Sequence, residues 1–242
     1  MTALSVAGAG PMSSAGAGLG KPRVHLRRTD STNTLARHFA ARGVPHGTLV
    51  TAGEQSAGRG RQGRGWSAPP GSSLLCSWVI REPAKLLSLA AGIAVAEVCG
   101  DDARLKWPND VLIDGRKVAG ILVEGRPQER WAVLGIGINV ALDPERLPEE
   151  LRDRAGTLGR APSEREPMLE RLRILLEHWL VASDGEVLKA VRARDALQGR
   201  RISWGDRSGV AGGIDADGRL EVELDGGGRI ALDAGEVHLS RS

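Results

Sequence analysis

The sequence predicts an α+β protein in which a mixed sheet with flanking helices precedes a small β-barrel. Three observations indicate this class. Apolar segments of strand length recur between residues 47 and 140, separated by turns that contain glycine or proline. Two amphipathic helical segments follow, over residues 168–180 and 186–197. From Gly199 onward, short alternating strands and Asp-Gly turns are typical of a small barrel.

The composition of the 242-residue chain predicts the type of core and excludes several classes of protein. Hydrophobic residues make up 41%, with one Phe and no Tyr, so the core is expected to be aliphatic. A net charge of +3 does not require a nucleic-acid partner. Cys76 and Cys99 lie in apolar segments, which predicts buried, unpaired thiols in a cytoplasmic protein. No stretch has the length and apolarity of a membrane span, and no Cys/His cluster has metal-ligand spacing.

Residues 1–22 are rich in Ala, Gly and Ser, and they lack the basic start and apolar run of a signal peptide. We expect a disordered tail there, whose first 20 residues are dispensable for activity. The expected organisation is this tail, a main domain over residues 23–197 and a small β domain over residues 198–242.

After a short strand, the chain predicts a capped helix. Asp30 or Ser31 can cap its start, and Gly43 can end it. The same helix start carries the hydroxyl and amide groups of Ser31, Thr32 and Asn33. These groups serve either as simple caps or as a polar clamp for a small ligand.

A segment of alternating glycine and arginine, residues 57–66, is called the arginine–glycine loop below. Its sequence is Ala-Gly-Arg-Gly-Arg-Gln-Gly-Arg-Gly-Trp. Glycine allows close backbone approach to a ligand, and the arginine guanidinium suits carboxylate and phosphate oxygens. Predicted strands flank the loop, so a binding loop is favoured over a disordered RNA-binding tail. The segment also contains G-x-G-x-x-G, but Pro69-Pro70 follows in place of the helix that a dinucleotide site needs.

Between residues 83 and 140 the sequence predicts one helix and then four strands. The helix, from Pro83 to Cys99, has a broad apolar face. Turns at Pro108 and at Asp114-Gly115 divide residues 104–124 into three strands. The long segment that follows, residues 141–165, is irregular and suits a lid or binding loop.

The last of these strands, Trp131–Val140, places Gly135, Gly137 and Asn139 on one face. Two positions without side chains leave either a slot for a slender ligand or room for close backbone packing. Both interpretations remain open from the residues alone.

A resemblance is carried by a set of short motifs that occur in order along residues 24–140. They are Ser31-Thr32-Asn33, Gln55, the arginine–glycine loop, Lys106-Trp107-Pro108-Asn109-Asp110, Arg116-Lys117-Val118-Ala119-Gly120-Ile121-Leu122-Val123-Glu124 and Gly135-Ile136-Gly137-Ile138-Asn139. Each is short, but together they are highly specific. The chain resembles the biotin–protein ligases, of the ligase-only type that lacks an N-terminal DNA-binding domain.

The resemblance implies a catalytic domain similar to class II aminoacyl-tRNA synthetases and an SH3-like C-terminal domain. It also implies a two-step reaction with biotin and Mg²⁺-ATP: biotin is activated as biotinyl-5′-AMP and then transferred to a lysine of a biotin carboxyl carrier protein. A monomer or weak homodimer in the cytoplasm is expected, with no DNA or membrane partner.

The resemblance also implies roles for individual residues. Positions on the biotin side are Ser31, Thr32, Asn33, Gln55, Arg59, Gly60, Arg61, Lys117, Gly120, Gly135 and Gly137. Those on the nucleotide side are Arg61, Arg64, Trp66, Asn109, Lys117 and Asn139. Arg61 and Lys117 are expected to act in catalysis, because cations offset the repulsion between a carboxylate and a triphosphate. Asp110 either orients the acceptor lysine, helps to place Mg²⁺, or pairs with Lys106 or Lys117.

Two other functions fit part of the sequence. A lipoate–protein ligase shares the catalytic fold, although the Gly-Arg-Gly-Arg and Lys-Trp-Pro-Asn-Asp motifs favour biotin. An RNA-binding module could use the arginine–glycine loop and the barrel, but it leaves the other motifs unexplained.

Overall fold

The computed structural model describes residues 18–233, 235 and 237–239. The helices are α1 (Thr32–Ala41), α2 (Leu87–Cys99), α3 (Glu149–Arg152), α4 (Arg165–Trp179) and α5 (Asp184–Ala193). The strands are β1 (Arg23–Leu26), β2 (Leu49–Ala52), β3 (Gly58–Arg59), β4 (Gly65–Trp66), β5 (Ser73–Arg81), β6 (Arg104–Lys106), β7 (Asp110–Ile113), β8 (Arg116–Arg126), β9 (Trp131–Asn139), β10 (Arg201–Trp204), β11 (Arg207–Ile214), β12 (Leu220–Leu224), β13 (Arg229–Leu232) and β14 (His238–Leu239).

The larger sheet has seven strands in the order β1-β2-β5-β9-β8-β7-β6. Strands β1 and β2 are parallel and the other neighbours are antiparallel, so the sheet is mixed, as predicted. At its centre β5 pairs with β9 from Ser73↔Asn139 to Arg81↔Trp131. Both strands are buried along almost their whole length, because α1 packs on one face of the sheet and α2 lies over the opposite face.

Helix α2 is buried on nearly every side, since it also contacts α4 and α5. This explains why its sequence is apolar all round rather than along one stripe. The helix begins at Leu87, later than the predicted start at Pro83, because residues 83–86 form an irregular turn before the first helical hydrogen bonds. None of the helices in the described part of the chain combines the length and apolarity of a membrane span.

The start of the described chain is packed rather than loose. The side chain of Leu19 is only 5% exposed and belongs to the main core. Its backbone N–H donates to Glu177 Oε1 at 3.1 Å, and that of Gly20 donates to Gly47 O at 2.8 Å. The tail expected over residues 1–22 is therefore wrong at its C-terminal end, while residues 1–17 lie outside the described residues.

The C-terminal strands form a separate antiparallel sheet in the order β13-β12-β11-β10-β14. The turn between β11 and β12 docks this sheet on the main domain. Trp107 Nε1 donates to Gly218 O at 3.0 Å, and Lys85 Nζ lies 2.6 Å from Asp217 Oδ1. Trp107, in the Lys-Trp-Pro-Asn-Asp motif, therefore contacts the C-terminal sheet directly, and Lys85 adds a second contact.

Both cysteines are buried and unpaired, as predicted. Burial raises the pKa of the Cys99 thiol to about 12 and that of Cys76 still further. Neither thiol is therefore ionised near neutral pH.

Candidate active site

A cavity of about 640 Å³ lies between the start of α1, the arginine–glycine loop and strands β5, β7, β8 and β9. This volume suits a small-molecule ligand. Every residue that the sequence predicts for the site lines the cavity: Ser31, Thr32, Asn33, Gln55, Arg59, Gly60, Arg61, Arg64, Trp66, Asn109, Asp110, Lys117, Gly120, Gly135, Gly137 and Asn139. Their individual roles toward a ligand stay predictions.

The start of α1 forms one polar end of the cavity. Ser31 is the N-cap, and its hydroxyl accepts from the N–H of Thr34 at 3.4 Å. The backbone N–H and the hydroxyl of Thr32 both donate to Gln55 Oε1, at 2.8 and 2.9 Å. Ser31 therefore caps α1, as one of the two interpretations of this motif predicts. Ser31, Thr32 and Asn33 also line the cavity.

Asn33 connects this end of the cavity to the sheet. Its Nδ2 donates to Glu124 Oε2 at 2.9 Å, and its Oδ1 accepts from the hydroxyl of Ser77 at 2.8 Å. A Cβ added at Gly135 would lie 2.0 Å from Asn33 Oδ1. Gly135 therefore makes room for Asn33, so close packing explains this glycine more directly than an open slot does.

Sequence reasoning missed Ser77 and Glu124. Ser77 is fully buried on β5 and hydrogen-bonds to both Thr32 and Asn33. A signal was present, because a serine interrupts an otherwise apolar strand, and a buried hydroxyl needs a partner. Glu124 ends the quoted motif of β8, but nothing local distinguishes it from a solvated charge.

The arginine–glycine loop folds as a small hairpin over the cavity, with Gly58 opposite Trp66 and Arg59 opposite Gly65. Its turn contains Gln62 and Gly63, both at positive φ (55° and 76°). The glycine at position 63 adopts this conformation without strain, which is one reason for the glycine content of the loop.

Two arginines of the loop are bound to the sheet side of the cavity. Arg59 Nη2 donates to Glu124 Oε1 at 2.8 Å, and Arg59 Nε donates to Glu124 Oε2 at 3.3 Å. Arg61 Nη1 donates to Asn109 Oδ1 at 3.0 Å. Asn109 in turn donates to Ile121 O at 2.9 Å. Arg59 thus ties the first strand of the hairpin to β8, and Arg61, at the turn, is linked to β8 through Asn109.

Trp66 lies against the glycines of the sheet. A Cβ at Gly137 would lie 2.6 Å from Trp66 Cε2, and a Cβ at Gly120 would lie 2.9 Å from Trp66 Cζ3. Lys117 Nζ is 5.6 Å from the centroid of the same indole. The sequence assigns Trp66 to the nucleotide side and these glycines to the biotin side, whereas the structure brings them into contact at the middle of the cavity.

Lys117 pairs with Asp110 across two neighbouring strands. The distance from Lys117 Nζ to Asp110 Oδ1 is 2.5 Å, so the predicted ion pair is present. A register shift between Val111 and Leu112 accompanies this pair. Such a bulge turns a side chain to a new direction, and here it brings Lys117 Cε within 3.0 Å of a Cβ built on Gly120.

Asn139 has a packing role in the structure. It is buried, its Oδ1 accepts from the hydroxyl of Ser73 at 3.2 Å, and its Nδ2 donates to Gly156 O at 2.9 Å. The backbone of Lys117 also hydrogen-bonds to Arg154 and Gly156. The irregular segment of residues 141–165 is therefore held against β8 and β9, and part of it lines the cavity.

The lining of the cavity is rich in positive charge. The cationic residues are Arg59, Arg61, Arg64, Lys106, Lys117 and Arg154, and the acidic ones are Asp110 and Asp153. This excess suits an anionic ligand. Among the described residues, no group of three or more His, Cys, Asp or Glu is arranged to hold a metal ion.

The known proteins that are similar to this chain include biotin ligases. The model of the biotin/lipoate A/B protein ligase family matches residues 25–141. The biotin–[acetyl-CoA-carboxylase] ligase of Mycobacterium tuberculosis is 35% identical over 245 residues, which cover 92% of this chain and 91% of that protein. The ligase of the same name from Paracoccus denitrificans is 35% identical over 88% of this chain and 98% of its own.

The bifunctional ligase/repressor BirA of Bacillus subtilis is 38% identical over 61% of this chain. The match spans about half of that relative's length, 49%. Among solved structures, the biotin protein ligase of Aquifex aeolicus in complex with biotin and ATP has a TM-score of 0.74 and 29% identity. That alignment covers 92% of this chain and 100% of the other.

Proposed function

The chain belongs to the biotin/lipoate A/B protein ligase family, and on that premise we propose that it is a biotin–protein ligase. The substrates are biotin, ATP and a lysine of a biotin carboxyl carrier domain. One observation carries the proposal: the polar start of α1, the cationic loop and Lys117 all line one cavity, where a small acid and a triphosphate can meet.

The first half-reaction joins two anions. A biotin carboxylate oxygen attacks the α-phosphorus of ATP, the bond to the β-phosphate oxygen breaks, and pyrophosphate leaves. Arg61 and Lys117 are the cations that we propose to offset the repulsion and the charge that develops on the α-phosphate. The ion pair with Asp110 fixes the position of the Lys117 ammonium.

The second half-reaction transfers the biotinyl group. The neutral amine of the acceptor lysine attacks the acyl carbon of biotinyl-5′-AMP, AMP leaves, and the amine loses a proton. Asp110 lines the cavity and is the carboxylate that we propose to orient this amine. Because no group of three or more His, Cys, Asp or Glu among the described residues is arranged to hold a metal ion, Mg²⁺ is proposed to arrive with the phosphates of ATP rather than in a site of its own.

We propose that the biotin ring binds at the start of α1. Ser31, Thr32, Asn33 and Gln55 supply donors and acceptors that suit a ureido group. Gly120 and Gly137 form a strip without side chains on the cavity side of β8 and β9, and Trp66 covers this strip in the structure. A ligand chain is proposed to lie along this strip, and Arg64 and Asn109 are proposed to contact the nucleotide.

The wider organisation is also part of the proposal. We propose a catalytic domain of the class II aminoacyl-tRNA synthetase type that includes Leu19 and extends to residue 197, and an SH3-like domain over residues 198–242 formed by β10–β14. The carrier domain approaches from the cavity mouth, and the enzyme acts in the cytoplasm as a monomer or weak homodimer.

Labelling of a carrier domain tests the proposal directly. The purified chain is incubated with biotin, Mg²⁺-ATP and the carrier domain, and Arg61→Ala and Lys117→Ala are compared with the wild type. We expect each variant to lose about 100-fold in rate, since both remove charge stabilisation from the transition state. The exposed Arg171 and Lys189, replaced by Ala, are matched controls that should keep wild-type rates. Wild-type-like labelling by both site variants would remove the basis of the mechanism.

The family also includes lipoate ligases, so substrate choice needs its own measurement. We expect exchange of labelled pyrophosphate into ATP to depend on biotin. Exchange that depended on lipoate and not on biotin would reverse the assignment.

A further inference from the structure

Glu124, on β8, is an acidic side chain that the arginine–glycine loop contacts through Arg59. It follows Gly120 and Leu122 on the same face of β8, and both of these line the cavity. The side chain is 20% exposed, so most of it is withdrawn from solvent.

The carboxylate of Glu124 joins three elements at once. It accepts from both Nη2 and Nε of Arg59 on the loop, in a bidentate arrangement. It accepts from Nδ2 of Asn33 at the start of α1, at 2.9 Å, and lies 3.5 Å from Nη1 of Arg37 one turn later. Its Cα belongs to β8. No local sequence signal connects these elements, since 91 residues separate Asn33 from Glu124.

The electrostatics keep this carboxylate charged. Burial by itself would raise the pKa of Glu124, but hydrogen bonds from Arg59 and Asn33 and the charges of Arg59 and Arg37 hold it below the ordinary value. Glu124 is therefore an anion at neutral pH, and its hydrogen bonds are of the stronger, charge-assisted kind.

Both groups that Glu124 contacts most closely belong to the proposed biotin end. Holding Arg59 fixes the first strand of the loop hairpin. Accepting from Asn33 Nδ2 fixes which end of that amide faces Ser77, so Oδ1 accepts from the Ser77 hydroxyl, which also contacts Thr32. One carboxylate thus sets both the loop and the donors and acceptors at the start of α1.

We propose that Glu124 is a positioning residue for biotin binding, which clamps the arginine–glycine loop through Arg59 and orients the amide of Asn33. The inference rests on the proposed function, because it assigns Glu124 to the biotin end of that site. Glu124 acts through these two residues and does not contact the reacting atoms.

The isosteric variant Glu124→Gln tests this role. Its amide nitrogen cannot accept from Arg59 and its neutral oxygen accepts weakly. We expect the KM for biotin to rise about tenfold or more, with a smaller change in kcat for biotinyl-AMP formation. We also expect bound biotinyl-AMP to leave the enzyme several-fold faster.

A second readout does not depend on activity. Trypsin cleavage after Arg61 or Arg64, measured at low protease, reports on opening of the loop. We expect Glu124→Gln to be cleaved several-fold faster than the wild type. Arg59→Gln removes the same pair from the loop side, and the double variant should be cleaved no faster than the single ones, since the two residues act as a unit.

Glu166→Gln is the matched control. Glu166 also forms a bidentate pair, with Arg23 at 2.6 and 2.7 Å, but neither residue lines the cavity. This variant should leave the KM, release of biotinyl-AMP and loop cleavage unchanged. If Glu124→Gln behaves like Glu166→Gln, or loses only thermal stability, the positioning role is wrong. If Glu124→Gln does not fold, Arg59→Gln decides the same question.

The outcomes separate the two proposals. A wild type that forms no biotinyl-AMP defeats the proposed function, while loop cleavage still tests the clamp between Glu124 and Arg59. A wild type that is active, with Glu124 variants that match the control, defeats the positioning role alone.

Discussion

Lys117 Nζ lies 2.5 Å from Asp110 Oδ1, and the strands that carry them slip in register between Val111 and Leu112. Asp110 pairs with Gly120 in the β7–β8 ladder, and the slip brings Lys117 to the side of the cavity that Gly120 lines. Strict alternation would place Lys117 and Gly120, three residues apart, on opposite faces. The bulge therefore creates the catalytic pair that we propose.

This pair predicts non-additive kinetics. Lys117→Met should slow biotinyl-AMP formation about 100-fold, and Asp110→Asn about tenfold, because the ammonium keeps its charge but loses its fixed position. The double variant should be close to Lys117→Met alone. Single-turnover release of pyrophosphate measures all three.

Asp114→Asn supplies the control for the removal of a carboxylate, since Asp114 is exposed in the β7–β8 turn and Asn tolerates its positive φ of 50°. A failure in the transfer step alone would assign Asp110 to the second half-reaction. If Asp110→Asn forms biotinyl-AMP normally but fails to transfer it, the carboxylate serves the acceptor lysine and not Lys117.

Gly135 predicts a steric effect on both stability and binding. A Cβ at this position would lie 2.0 Å from Asn33 Oδ1, so Gly135→Ala must displace Asn33 from Ser77. We expect a loss of about 1–3 kcal/mol in the free energy of unfolding and weaker binding of biotin. Denaturant unfolding and calorimetric titration measure the two effects.

Gly185→Ala provides the comparison for a glycine that no neighbour crowds. Gly185 lies in α5 with nothing within 4 Å of an added Cβ, so the same change should stabilise the protein by about 0.5–1 kcal/mol. If Gly135→Ala is equally harmless, Asn33 adapts more easily than the packing indicates.

Local signals in the sequence were sufficient for much of the fold. Asp114-Gly115 predicts a hairpin turn, and both residues have positive φ (50° and 74°) between paired strands. Apolar runs bounded by turns likewise predict the strands around Gly135. The lining of the cavity could be predicted only through a family pattern, because its members come from segments far apart in the chain.

Long-range partners explain what the sequence could not predict. Glu124 has no local signature of a site, and the only local signal at Ser77 is a hydroxyl in an apolar strand. Their importance comes from Arg59 and Asn33, which reach them only in the folded chain. Trp66 likewise meets Gly137 only when the loop hairpin covers β9. Tertiary packing, rather than residue type, assigns these roles.

Leu19 predicts where truncation becomes harmful. Its side chain is 5% exposed in the main core, so Leu19→Ala should cost about 2–3 kcal/mol of stability. Deleting residues 1–20 should cost at least as much, in contrast to the expectation from composition that this segment is dispensable. Thermal unfolding of the two variants gives the answer.

Val181→Ala is the corresponding change at an exposed aliphatic residue, since Val181 is 84% exposed. It should shift stability by less than about 0.5 kcal/mol. A deletion of residues 1–20 that is as mild as Val181→Ala would show that Leu19 contributes little to the core.

The buried thiols predict both slow labelling and an alkaline loss of stability. Cys76 and Cys99 should react slowly with a thiol reagent in the native protein, and both should react at once in denaturant.

Burial raises the pKa of Cys99 from 9.0 to about 12, so the folded state holds its proton at a pH where the unfolded chain loses it. This contribution is fully present below pH 9.0 and is lost as the pH rises toward about 12. The free energy of unfolding should therefore fall over that range, and less steeply in Cys99→Ala. Because the chain has no tyrosine, phenol ionisation does not obscure the effect. Rapid labelling of a thiol in the native protein, or an equal alkaline slope in Cys99→Ala, would contradict the burial of that thiol.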